Sequence, residues 1–438
     1  MTESLTRRVG AIGVSRIIAT SVNVLVVNVV LSRALDQNLY GTFQQTWFFA
    51  QMLMELFLLG FPVAILYFLP KMTEPERKGF LSRALLILFA VGAVLAAGLW
   101  LGAPRLAVFF NNDALTASFR IIAWYALFAL PGIPLDAFLI TMGRHRTLGI
   151  VTILHSVFFV LAVLVPLGAG LPFAALIWGV VLYGLFKSGV LYGTAFHSVR
   201  TVEGRAPRSF WGGFVRYAIP VGLNDILRVV ARWLDKTIVS AAFDPATFAI
   251  YANGAMEIPF VNVIAGSISQ VVMPEMSKLA EGTSRQGLIT LWHRVIRKTA
   301  MLLLPLFFFL FAFAVPLMIV LFSERYAASA GPFRLYLLLL PLRAATYTPI
   351  LLALGRSKLV AWGALLDVLL NLGLSLALIP RFGYLGPAIA TVVATYAQAG
   401  FYLIWAGRIL ESGIARVFPW RDLGGLMVRT GIPIVPAV

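Results

Sequence analysis

Between residues 225 and 236 the chain places Asp225, Arg228, Arg232, Asp235 and Lys236 inside a largely apolar stretch, Gly212 to Ala241. Spacing of four sets the three cations on one face of a helix, drifting about 40° per step. A guanidinium grips phosphate through two parallel hydrogen bonds, so such a stripe suits an anion, above all a phosphate or diphosphate. At an effective dielectric of about 20, a unit pair about 4 Å apart is worth on the order of 4 kcal/mol. Two or three cations could therefore offset much of the desolvation of a diphosphate. The plainer alternative is ion pairing, with Asp225 and Asp235 neutralising part of the stripe locally. Arg16 and Arg343 also sit in apolar surroundings, and neither has an acid within four residues. Glu55, Asp136, Glu257 and Asp367 are the other acids in apolar stretches. These, with Asp225 and Asp235, are either partners for the arginines or sites where a proton or sodium ion couples. Asp136 and Asp367 lie deepest within their stretches and fit coupling best.

Other chemistries find no residues to carry them. The chain has no cysteine, and its four histidines, His145, His155, His197 and His293, are scattered without metal-ligand spacing. Disulfides and thiolate catalysis are excluded and no metal site is expected. No Walker loop and no Gly-x-Ser-x-Gly elbow is present, so neither an enzyme nor a cofactor is expected.

The elements that hold these charges follow from composition. Of 438 residues 60% are hydrophobic and only 12% charged, against roughly 25% charged in soluble domains. A helix needs about 20 apolar residues to cross a bilayer. Runs of that kind recur near 9–32, 43–69, 79–102, 117–141, 147–167, 171–195, 212–241, 247–275, 296–322, 331–354, 358–379 and 383–406. The expected fold is all-α and membrane-integral, with twelve spans. Arg7 and Arg8 precede a first run without a small-residue cleavage site, which reads as a retained helix. With the N-terminus inside, 24 of the 35 basic residues fall on inner segments and six on outer ones, as the positive-inside rule demands. The formal charge of +17 thus reports membrane topology, and no nucleic-acid partner is expected.

The chain also repeats itself. Met142-Gly143-Arg144-His145-Arg146 matches Leu354-Gly355-Arg356-Ser357-Lys358, and Phe119-Arg120 matches Phe333-Arg334. Pro166 with Leu171-Pro172-Phe173-Ala174-Ala175 matches Pro380 with Leu385-Gly386-Pro387-Ala388-Ile389. Leu69-Pro70-Lys71-Met72-Thr73 likewise matches Met273-Pro274-Glu275-Met276-Ser277. The expectation is two parallel six-helix lobes, 1–207 and 208–410, around a central cavity, as in transporters that bind near the midplane. Residues 411–438 read as a cytoplasmic tail or the start of a further helix.

The segments Ala353 to Lys358, Leu369 to Ile379 and Pro380-Arg381-Phe382-Gly383-Tyr384-Leu385-Gly386-Pro387 carry a family likeness. Leu234-Asp235-Lys236-Thr237-Ile238-Val239 and Tyr40-Gly41-Thr42-Phe43 add to it. Over residues 5 to about 410 the chain resembles polysaccharide-transporter flippases of the multidrug/oligosaccharidyl-lipid/polysaccharide superfamily. The resemblance implies a cavity opening alternately to each side of a bacterial cytoplasmic membrane. It implies movement of an undecaprenyl-diphosphate-linked glycan outward, for O-antigen, capsule or exopolysaccharide synthesis. Its cationic cavity lining maps onto Arg16, Arg228, Arg232 and Arg343, with Lys236 continuing the stripe. The partners it implies are the lipid-linked glycan, the bilayer and a polysaccharide polymerase or glycosyltransferase complex. Rival readings are a cation-coupled multidrug exporter of the same superfamily, whose pocket should be acidic, and a non-transport assembly partner with fully paired charges.

Overall fold

The computed structural model describes residues 22–58, 60–199, 208–256, 258, 261, 272–273, 275–280, 285–345 and 347–431. Arg16 and Glu257 lie outside the described residues. Among these residues every regular element is helical. A π-helical turn, Val22–Val27, leads into α1 (Asn28–Ala34), followed by α2 (Gln37–Phe57), α3 (Phe61–Phe68), α4 (Glu74–Phe109), α5 (Ala114–Ala129) and α6 (Leu135–Thr141). Next come α7 (His145–Gly168), α8 (Phe173–Ser198), α9 (Arg208–Ala242), α10 (Pro245–Gly254), α11 (Arg285–Ala312) and α12 (Ala314–Phe322). The chain continues through α13 (Ala330–Leu337), α14 (Leu339–Arg343), α15 (Tyr347–Ala353), α16 (Ser357–Phe382), α17 (Leu385–Ile409), α18 (Gly413–Val417) and α19 (Trp420–Gly431).

Eight of the described helical segments are long and apolar enough to cross a bilayer, or nine when α2 and α3 are joined as one bent span. The difference from twelve has identifiable sources. The first expected span falls largely, and the eighth partly, outside the described residues. The seventh, α9, is long enough, but its five charges between Asp225 and Lys236 lower its apolarity. Several spans are broken instead of straight. The α2–α3 pair bends by 41° at Gly60, whose φ of +71° is the left-handed conformation that only glycine adopts cheaply. A Cβ there would also stand 2.6 Å from the Ala218 carbonyl oxygen. Proline breaks the fourth span, where Leu130–Gly132 is a 3-10 turn between α5 and α6.

The chain divides into two compact units. One holds the residues up to Val229 with Ser240–Ala249, the other Val230–Val239 with the residues from Ile250 onward. In the first unit, α4 packs along α5, and α8 lies against both α5 and α7. One end of this unit is closed by a buried polar lock. Gln45, fully buried, donates to the Ser240 hydroxyl at 3.0 Å and accepts from Asn112 Nδ2 at 2.7 Å. Asn112 also reaches Thr42 at 2.9 Å, and Asn111 reaches the Ala241 carbonyl at 3.2 Å. Beside the lock, Gly41 lets α2 approach the start of α10 so closely that a Cβ would stand 1.8 Å from the Pro245 carbonyl oxygen. In the second unit α16 and α17 form the most extensive helix pair, and α19 packs along α11.

The repeated motifs fold alike. Gly143 and Gly355 adopt φ of +71° and +69°. The arginines after them cap α7 and α16 with φ/ψ of −84°/46° and −102°/47°. Each arginine amide donates to a carbonyl five residues back, Leu139 and Leu351, at 2.9 Å. Arg120 lies 5.0 Å from the Trp100 ring, and its repeat partner Arg334 lies 5.6 Å from the Phe311 ring. Both are thus stacked on an aromatic of the preceding span.

Candidate functional site

Helix α9 presents the cationic stripe. Arg228 and Arg232 are exposed and Lys236 is half-buried. Arg228 Nη2 meets Asp225 Oδ1 at 3.1 Å, the two side chains being 58% and 35% exposed. The Lys236 ammonium lies 5.2 Å from the Trp233 ring centroid, a cation–π contact. Asp225 therefore acts locally on the stripe as its spacing predicts.

Asp235 behaves differently. It is only 2% exposed, and its Oδ2 accepts from Tyr251 Oη at 2.7 Å and from Tyr336 Oη. A buried carboxylate is tolerated where donors replace its water. Here α10 and α13 supply two phenols. Spacing alone could not find them, because they lie 16 and 101 residues away. Either Tyr251→Phe or Tyr336→Phe should leave a buried acceptor short of a donor, costing roughly 1–3 kcal/mol. Thermal unfolding of purified protein should show it, and the loss should shrink in an Asp235→Asn background.

From this clamp a polar file continues along the α16–α17 contact. Tyr336 neighbours Thr391, Asn371 Nδ2 donates to Thr391 Oγ1 at 3.1 Å, and Ser375 donates to Asn371 Oδ1 at 3.0 Å. One turn before Asn371 on the same face is Asp367, 8% exposed, with Oδ1 buried and unpartnered among the described residues. A spacing of four, Asp367-Asn371-Ser375, announces this face in the sequence. Its second half, Thr391, Thr395, Gln398 and Tyr402, follows on α17 at spacings of four, three and four.

Arg343 ends α14 and lines a cavity of about 260 Å³ together with Tyr347, Thr348, Thr395, Gln398 and Tyr402. Glu55 on α2 and Asp136 in the first turn of α6 are half-buried. His155, which the repeat aligns with Asp367, is buried with its ring edge-on to Phe186 at 6.1 Å. Among the described residues no group of three or more metal-ligating side chains gathers.

The fold is similar to that of solved lipid flippases and multidrug transporters. The chain is similar to the lipid II flippase MurJ in an inward closed conformation at 14% identity, with TM-score 0.70, covering 97% of this chain and 91% of that one. It is similar to an inward-facing multidrug resistance MATE family transporter at 12% identity, with TM-score 0.71, covering 92% and 98%. A superfamily transporter from Pyrococcus furiosus, described as having a binding pocket of reversed polarity, matches at 14% identity and TM-score 0.65, covering 93% and 96%. No curated protein sequence matches. The family model "Polysaccharide biosynthesis protein" matches residues 30–331, and the chain belongs to that family.

Proposed function

We propose that the chain is a flippase that moves undecaprenyl-diphosphate-linked glycan units from the cytoplasmic to the outer leaflet for cell-surface polysaccharide synthesis. The observation that carries this reading is the α9 stripe: cations four residues apart on one helix, with both arginines exposed. An arginine in a span needs water or a partner, costing roughly 2.5–3.5 kcal/mol at the centre of a lipid-facing helix. An aqueous cavity with a cationic wall meets that need, and a diphosphate matches the wall. Arg16, Arg228, Arg232 and Lys236 would neutralise the diphosphate while the lipid tail stays in the bilayer. Arg343 belongs to the same cationic set. The six-helix lobes would be 1–207 and 208–410, in the inner membrane with the N-terminus cytoplasmic. A polymerase or glycosyltransferase complex would use the product.

Exporting an anion from a negative interior is downhill by roughly 2.3 kcal/mol per charge per 100 mV, so coupling to a cation is an addition and not a requirement. Where coupling occurs, the buried carboxylates are the best placed: Asp235 at the clamp and Asp367 one turn before Asn371. Asp136, Glu55, Glu257 and Asp225 are the other carboxylates available. Purified protein in nanodiscs should bind undecaprenyl diphosphate and not a lipophilic cationic dye. The reverse preference would make it a multidrug exporter, and binding of neither would favour an assembly role.

A further inference from the structure

The 260 Å³ cavity at Arg343 carries a chemistry that a diphosphate site does not need. Drug-sized ligands occupy pockets of about 300–1,000 Å³, so this one has room for a ring-sized group. Its polar groups mix donors and acceptors: Arg343, Tyr347 and Thr348 carry N–H or O–H groups, whereas two hydroxyls on α17 are already spent as donors. Tyr402 Oη already donates to the Val360 carbonyl at 2.9 Å, and Thr395 Oγ1 donates to the Thr391 carbonyl at 2.8 Å. Each hydroxyl therefore offers only lone pairs. Gln398 uses one N–H on the Gly363 carbonyl at 3.1 Å, leaving its own carbonyl oxygen and its second N–H. Phosphate offers acceptors alone, so it could use Arg343 but would face the lone pairs of Thr395 and Tyr402. A polyol both donates and accepts, and the apolar face of a sugar ring suits tyrosine. Arg343, the Tyr347 and Thr348 hydroxyls and the remaining Gln398 N–H supply donors to it.

We propose that this cavity binds one neutral pyranose ring of the transported glycan, with Thr395, Gln398 and Tyr402 accepting its hydroxyls. The proposal rests on the glycan-flippase reading and names the part of the substrate that the stripe on α9 does not hold.

Two measurements separate the two readings. In nanodiscs, the wild type should bind undecaprenyl diphosphate bearing one neutral hexose more tightly than undecaprenyl diphosphate alone. Gln398→Leu and the isosteric Thr395→Val should each reduce affinity for the hexose-bearing lipid roughly five- to tenfold, the worth of one such hydrogen bond. Affinity for the bare lipid should stay. Separately, saturation-transfer NMR with methyl hexosides should give a signal that both variants lose, while their melting temperatures report intact folding. Failure of either lipid to bind, with hexoside binding intact, would sink the flippase reading and leave the sugar site standing. Equal affinity of the wild type for the two lipids, or hexoside signals untouched by both variants, would overturn the sugar site.

Discussion

Changing Arg228 and Arg232 singly to Gln should abolish glycan export while leaving normal amounts of folded protein. Gln keeps a polar, hydrogen-bonding end on a shorter side chain and removes the charge. The pairing of Arg228 with Asp225 is exposed on both sides, and such pairs contribute about 0–1 kcal/mol, so its loss should not unfold the chain. Lys at either position should restore part of the activity, since the charge returns without the bidentate fork. If the arginines were instead buried structural partners, removing one would cost about 3–5 kcal/mol. Protein levels would then fall and recover when Asp225 or Asp235 was neutralised as well. Export measured by surface glycan, alongside membrane protein levels, separates the two cases. Full export by a well-expressed triple Gln variant of Arg16, Arg228 and Arg232 would refute the anion-grip reading.

The second large effect is expected at Gly41. A side chain there has nowhere to go, because the obstacle is the Pro245 backbone and not a flexible side chain. Gly41→Val should push α2 away from the start of α10 and strain the lock of Gln45, Asn112 and Ser240. Overpacking of this kind costs about 1–3 kcal/mol, and roughly 1.4 kcal/mol is tenfold in the population of the parted state. The chain has no native cysteine, so Ser240→Cys alone reports the change. Buried in the parent, it should react at least about fivefold faster with a membrane-impermeant maleimide once Gly41→Val is added. Unchanged labelling would show that the lock does not depend on this close approach.

Much of the architecture is legible in the amino-acid order because a bilayer imposes a simple code. Apolar runs, the glycines at 143 and 355, and the arginines that follow them each correspond to an element or turn with one preferred geometry. The breaks were less legible. Gly60 and Leu130–Gly132 fall inside runs that hydropathy reads as continuous, and the left-handed turn at Gly60, beside the Ala218 carbonyl, leaves no mark on hydropathy. The stripe was readable because its spacing is local. The tyrosine clamp on Asp235 was not, since Tyr251 and Tyr336 come from other helices, and a phenol in an apolar run looks like any other aromatic. Asp367 was singled out for its charge, but its neutral file of Asn371, Thr391 and Thr395 was missed. Hydroxyls and amides barely lower hydropathy, so a polar seam passes for core.

The paired turns at Gly143 and Gly355 bear on how the two halves of the chain tolerate change over time. Within them only the glycine and the arginine recur unaltered, with conservative exchanges at Met142/Leu354 and Arg146/Lys358 and an unrelated pair at His145/Ser357, yet the backbone angles agree within about 20°. What a duplicated ancestor would have had to keep there is a path for the main chain and little else. In such a history the side chains around it would be free to diverge, with a cationic helix in one repeat and, in the other, His155 where the counterpart is Asp367.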